Sequence, residues 1–268
     1  ENIYQPLIDG TMINMFYHNN EWMISTRSNI GAKNKWDGKT SFLKMFLDVN
    51  GDEWFNELKK NYCYSFILHH KNNRNISPIE NNFIFLVENY EIIDGEIKMK
   101  QLDNISNIEN IVDLSKEMLC GYQTETFFSI KGFTIKNSNR RLNWINPNFE
   151  YVKQLKMNHN DKFLNYISLR QKRLLKKYLK YFPEDNYLFE KYREEFNNVK
   201  NTLYQRYVSR YIKKEITNKE IEYSLKPLIY ELHGYYLHTN EKINIKIVSD
   251  YLHNLDGKKI MFIKKYLE

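Results

Sequence analysis

The chain has 268 residues, 42% of them hydrophobic and 15% aromatic, with a formal net charge of +7. This is enough apolar content to bury a core, and the many aromatic rings exclude a chain that stays disordered. Cys63 and Cys120 are the two cysteines, too few for a disulfide-dependent secreted scaffold; with no signal-like start and no run of about 18 apolar residues, the expected setting is intracellular, cytoplasmic or viral, and not a membrane.

Along the chain, Met12–Tyr17 and Glu21–Thr26 read as two strands joined at His18, Asn19 and Asn20. Thr40–Val49 places Phe42, Met45, Phe46 and Val49 at helical spacing, with Thr40 or Ser41 able to cap its start. Tyr62–His69 and Asn82–Glu88 read as buried strands, and Glu91–Lys100 as a hairpin around Asp94-Gly95, a dipeptide suited to positive φ at both turn positions. Ile108–Leu119 is expected to be helical, and Thr126–Ile135 to return to strand.

After Pro147 the pattern becomes helical, so the division into 1–155 and 156–268 is placed between Asn148 and Asn158. Helices are expected over 161–181, 186–216, 219–238 with a kink at Pro227, 243–254 and 257–267. The charge follows the same division: residues 156–268 hold 23 Lys and Arg against 14 Asp and Glu, a net of +9, while residues 1–155 stand at −2. Such a basic half attracts polyanions, nucleic acid foremost, or is simply a solvated helical surface.

Several short motifs occur in a telling order. Leu7-Ile8-Asp9-Gly10 precedes a strand, and Ser25-Thr26-Arg27-Ser28 follows it; Tyr64–Leu68 leads into Asn73-Arg74-Asn75-Ile76; Phe83–Tyr90 supplies another strand; Lys131-Gly132-Phe133-Thr134-Ile135 and Arg141-Leu142-Asn143 complete the series. This order resembles the nucleotidyltransferase domain of the RNA ligase 1 family, whose motifs are Lys-x-Asp-Gly, Thr-Arg, an aromatic strand into Asn-Arg-Ile-Val, Glu-Gly and Lys-x-Lys. Asn146–Lys153 also resembles the exit from that domain in viral relatives. The resemblance implies an α+β protein, with ATP-grasp-like antiparallel sheets followed by an all-α domain. Asp-Gly alone carries little, because it occurs four times here, and Lys35-Trp36-Asp37-Gly38 matches Lys-x-Asp-Gly by letter but lies after the Thr-Arg segment and before a helix.

In such ligases a lysine amine attacks the α-phosphate of ATP, assisted by magnesium. Here the matching position is Leu7, the carboxylate positions are Ile67 and Lys131, and the paired lysines are Arg141 and Asn143. An alkyl group has no lone pair, so lysine adenylylation is not expected and no cofactor or metal is assigned. ATP and Mg enter only if Lys35 or another lysine serves an active ligase. The nucleotide or phosphate contacts implied are Asp9, Gly10, Arg27, Lys131 and Arg141, with Lys131 either pairing with Asp9 or joining Arg27 and Arg141 in a metal-free phosphate cradle.

On a continuous helix over 161–181, Phe163, Ile167, Leu174, Leu175, Tyr178, Leu179 and Phe182 fall on one side. Arg170, Lys172, Arg173, Lys176, Lys177 and Lys180 fall on the other, a cationic strip about 15 Å long by helical rise. Arg170, Arg173, Lys176, Lys177 and Lys180 are the expected nucleic-acid contacts. Tyr204, Tyr207, Val208 and Tyr211 recur at helical spacing and read as core before base-stacking groups. Adjacent His69 and His70 point to opposite faces of a strand and cannot share a metal. The sequence thus reads as a noncatalytic, RNA ligase-like protein that binds RNA in preference to DNA. The other readings are an active ATP-dependent RNA ligase and a structural viral or assembly component that meets a protein partner.

Overall fold

A computed structural model describes residues 2–36, 39–124, 127–137, 140–157, 159 and 161–267. The fold is mixed α and β, with two sheets of mainly antiparallel strands followed by helices, and it divides into compact units 1–154 and 155–268. Among the described residues no helix is long and apolar enough to cross a membrane.

In the first unit, β1 (Ile3–Leu7), β9 (Gly132–Lys136) and β10 (Arg141–Ile145) form a three-stranded sheet in the order β1-β9-β10. The larger sheet runs β4-β3-β2-β5-β6-β7, built from Asn29–Ile30, Glu21–Thr26, Thr11–His18, Tyr62–His69, Phe83–Ile93 and Glu96–Lys100. A short strand β8 (Glu109–Asn110) lies parallel to β6. Alternation decides the faces: Ile13, Met15, Tyr64, Phe66, Leu68, Ile84 and Leu86 point one way. They pack with Phe42, Met45 and Phe46 of α1 (Phe42–Asn50) and with Trp54 from a following 3-10 turn. Ser41 caps α1, its Oγ accepting from the Lys44 amide at 3.2 Å. The opposite sheet face carries Met12, Asn14, Phe16, Cys63, Ser65, Ile67, Phe85, Glu88 and Tyr90 by register.

Asp94 and Gly95 have φ of 50° and 82°, as the β6–β7 hairpin needs. The helix expected over Ile108–Leu119 is not formed as such. Ile111 instead donates its amide to Leu86, extending the sheet edge, and α2 (Lys116–Thr124) starts later. The strand expected from Thr126 begins at Gly132, with Glu125 and Thr126 outside the described residues. Helix α3 (Pro147–Lys156) carries the chain past the division between Gln154 and Leu155.

In the second unit the helix expected over 161–181 is two helices, α4 (Lys162–Gln171) and α5 (Leu175–Tyr181). The break is a Schellman turn: Arg173 adopts φ 58°, its amide bonds Arg170 O at 3.0 Å, and the Leu174 amide bonds Leu169 O at 2.8 Å. Asp161 caps the start of α4, accepting from the Phe163 and Leu164 amides. Tyr178 stacks on Phe182 and Phe189 with centroids 4.6 and 5.3 Å away, and its hydroxyl donates to the buried Asp185, which also pairs with Lys162.

Helix α6 (Asn186–Tyr207) passes into a wide π turn at Val208–Ile212, where Lys213 N reaches back five residues to Val208 O at 2.9 Å. The helix expected from 219 begins only at Lys226 (α7, Lys226–Thr239), and Pro227 sits in its first turn, where a missing N–H costs nothing, so it makes no kink. Helices α8 (Ile245–Asn254) and α9 (Gly257–Leu267) complete the chain.

Candidate functional site

Leu7 ends β1 opposite Gly132 of β9, which in turn faces Ile145 of β10. Opposite residues of antiparallel strands share a face, and so do positions two apart. Leu7, Gln5, Thr134, Asn143, Lys136 and Arg141 therefore lie on one face of the small sheet, which gathers three positions of the resemblance, Leu7, Asn143 and Arg141. Gly132 is required at its place: its φ is 140°, and a Cβ there would lie 2.0 Å from the Trp144 carbonyl oxygen.

The β1–β2 connection holds Asp9 and Gly10 against the large sheet. Asp9 is 8% exposed, and its Oδ2 accepts from the Ile76 and Ser77 amides at 2.7 and 2.9 Å. Arg74 holds the same loop from the other side, donating from Nη2 to Ile76 O at 3.0 Å, and Asn73 donates to Thr11 Oγ1 at 2.8 Å. A Cβ on Gly10 would meet Ile67 Cγ2 at 2.5 Å and Leu68 O at 2.7 Å, so only glycine lets the connection lie this close to β5. These two residues thus have structural duties that require no ligand.

Lys131 directs its ammonium to the Ile8 carbonyl at 3.5 Å, beside Leu7. The pairing of Lys131 with Asp9 is not formed, because the Asp9 carboxylate is engaged by backbone amides. Lys131 and Arg141 do not stand side by side on the small sheet. Arg27 is exposed in the turn after β3, while Arg141 pairs with Glu88 beside Lys136, five residues along from Lys131, about 16 Å of strand. Lys35 is exposed in the loop leading to α1, the helix packed against the sheet face opposite Ile67; Asp37 and Gly38 lie outside the described residues.

A magnesium ion does not fit this set of side chains. The positions that would offer carboxylates hold the buried alkyl of Ile67 and the ammonium of Lys131, which repels a cation. Among the described residues, no group of three or more His, Cys, Asp or Glu could hold a metal. His69 and His70 lie on opposite faces of β5's end; burial lowers the pKa of both, opposed at His69 by nearby Asp9 and at His70 by Asp48.

One group was not foreseen. Glu88 of β6 accepts from Lys136 Nζ at 2.9 Å and from Arg141 on one oxygen, and from the Tyr90 hydroxyl on the other. Burial alone would push the Glu88 carboxyl up, but the hydrogen bonds from Tyr90 and Lys136, then the charges of Lys136 and Arg141, hold it below the usual range. Tyr90 is pushed up to about 12, by burial first and then by Glu88. Beside them Ser65 donates to Asn14 at 2.8 Å. The available signal was polar alternation: Thr134 and Lys136 on β9 match Asn143 and Arg141 on β10, and Glu88 and Tyr90 lie two apart on β6.

In the second unit, Lys172, Arg173, Lys176, Lys177 and Lys180 are exposed, while Tyr178 among them and Phe182 just after them are buried. Arg170 does not join them. Its guanidinium packs over the Phe196 ring at 4.3 Å and approaches the Tyr166 hydroxyl at 3.4 Å. Of the tyrosine stripe, Tyr207 is core, whereas Tyr211 stacks on His233 with centroids 3.6 Å apart and planes at 9°. No family model matches the chain, and it has no match among curated proteins.

Proposed function

We propose that this is an RNA-binding protein on an RNA ligase-like, nucleotidyltransferase scaffold that does not adenylylate a lysine at position 7. The observation that carries the binding half is the group of five exposed cations on the α4–α5 turn and α5, backed by a buried aromatic core that holds them in place. The cations offer a phosphate backbone contacts that carry no sequence preference. The two antiparallel sheets followed by helices support the scaffold, and the alkyl groups at Leu7 and Ile67 support the lack of chemistry.

Two measurements test the reading. Incubation with labelled ATP and magnesium is expected to leave no label on the denatured chain; label mapped to Lys35 or Lys131 would make the protein an active nucleotidyltransferase. In RNA titrations, K176E/K177E is expected to weaken binding by at least about tenfold at low salt without changing the melting temperature. Equal affinity of the variant and the parent would remove the binding half and favour a structural role with a protein partner.

A further inference from the structure

Strand β7 is the outer strand of the large sheet. Among the described residues it pairs with β6 alone, so its other edge carries backbone groups that no strand satisfies. The turn decides which groups these are. Asp94 and Gly95 have the positive φ values of a two-residue type I′ turn, so Ile93 and Glu96, which flank it, are bonded to each other. Bonded and unbonded pairs alternate along an antiparallel ladder, and Ile97 and Met99 therefore aim their N–H and C=O groups away from β6. Their side chains share a face with Ile92 and Tyr90 of β6; Ile97 is 68% exposed, Ile92 42% and Met99 41%. The other face of the strand holds Glu96, Lys98 and Lys100. An edge guarded by lysines ordinarily repels a further strand. Here Lys98 lies 3.2 Å from Glu96 and Lys100 2.7 Å from Glu91, so the charges of these four groups cancel.

We propose that β7 pairs antiparallel with β7 of a second copy of this chain, about a two-fold axis at Lys98, joining two large sheets into one. The strand reads Glu-Ile-Lys-Met-Lys, and laid against its own reverse it places Glu96 opposite Lys100 of the second copy and Ile97 opposite Met99. This register overlaps the whole strand, and its outward-facing residues, Ile97 and Met99, exchange a bonded pair on each side of the axis. On the apolar face, the row Phe16, Cys63, Tyr90 and Met99 continues into Ile97 and Ile92 of the second copy. Charge complementarity selects this occupant, because an unrelated strand would have to match both the charges and the apolar positions. The two Lys98 side chains meet at the axis, each with Glu91 opposite it on β6, and their repulsion keeps the association weak and reversible. The surface is separate from α5 and does not rest on RNA binding.

Sedimentation velocity of the full chain, without RNA, tests it. One short strand is a small interface, so a weak dimer is expected, growing between about 10 and about 500 μM. M99P removes one outward N–H and none that bonds β6, and I97K puts a charge into the apolar row. Each is expected to weaken dimerisation at least about tenfold while the monomer stays folded by circular dichroism. Should M99P fail to fold, I97K, at the most exposed position, decides. Position 98 reads the register. Unbonded residues directly opposite each other have Cα atoms about 4.5 Å apart, close enough for a disulfide. With diamide as oxidant, K98C is expected to form a covalent dimer beyond the parent's background from Cys63 and Cys120. E96C is not, because its two copies would lie about 13 Å apart along the strands. A chain that stays monomeric to about 500 μM overturns the proposal and leaves the edge to another protein or to solvent. A dimer that survives I97K overturns it too, as does K98C cross-linking no better than E96C.

Discussion

Single residues settle most of what the first unit can do. Gly132 lies where the small sheet's three strands are most crowded, and G132A would force an atom to within 2.0 Å of the Trp144 carbonyl oxygen. The variant is expected to lose about 3 kcal/mol or more of stability in denaturant unfolding; a loss below about 1 kcal/mol would mean that the strands can part at little cost. Glu88 gives a pH signature. Its carboxyl is held below the ordinary range in the folded chain, so its stabilising contribution is complete above the unfolded value near 4.5 and fades as the pH falls through the folded value. E88Q has no such group, so the stability difference between parent and variant should shrink steadily below about pH 4.5 in thermal melts. At this scale the sequence was a partial guide. It identified Leu7 and Ile67 as alkyl groups, but it could not tell that Asp9 would be engaged by the Ile76 and Ser77 amides or that Arg141 would have Glu88 as a partner. Those partners come from distant strands, and nothing in local spacing reports them.

Elements were legible where a local rule sufficed. The Asp94-Gly95 hairpin and the Ser41-capped α1 formed as their residue types require. The break between α4 and α5 was invisible because the left-handed residue is Arg173, an arginine where a glycine is usual. R173G is therefore expected to stabilise the second unit by about 0.5–1 kcal/mol, read as a rise in unfolding midpoint, while weakening RNA binding by the loss of one cation. A fall in stability would show that the arginine side chain holds the turn. The break also redirects the surface. Arg170 turns inward onto Phe196, so the cations on offer belong to the turn and α5, and do not form one continuous helical strip.

For the molecule as a whole, charge and architecture divide at nearly the same place. The net of +9 over 156–268 falls within the all-helical unit, and the strand-rich unit is close to neutral. If all five exposed cations of the α4–α5 region engage phosphates, log affinity for single-stranded RNA should fall with log salt at a slope of about −3.5. A slope near zero in filter-binding titrations would exclude a phosphate-driven complex. The fold class was legible here because hydrophobic periodicity switches from two to about 3.6 after Pro147, and such a switch survives errors at individual boundaries.

The π turn that ends α6 has a consequence for how this chain can vary. A wide turn contains one residue more than a regular helix would use, and removing one between Val208 and Ile212 would restore ordinary pairing while rotating everything beyond by about 100°. Tyr211 would swing off the His233 ring, and Arg210 would lose its 2.6 Å bond to Asn218. Length, more than side-chain identity, is what this stretch must conserve: exchanges of residue leave the helix in phase, and a deletion puts it out of step with α7.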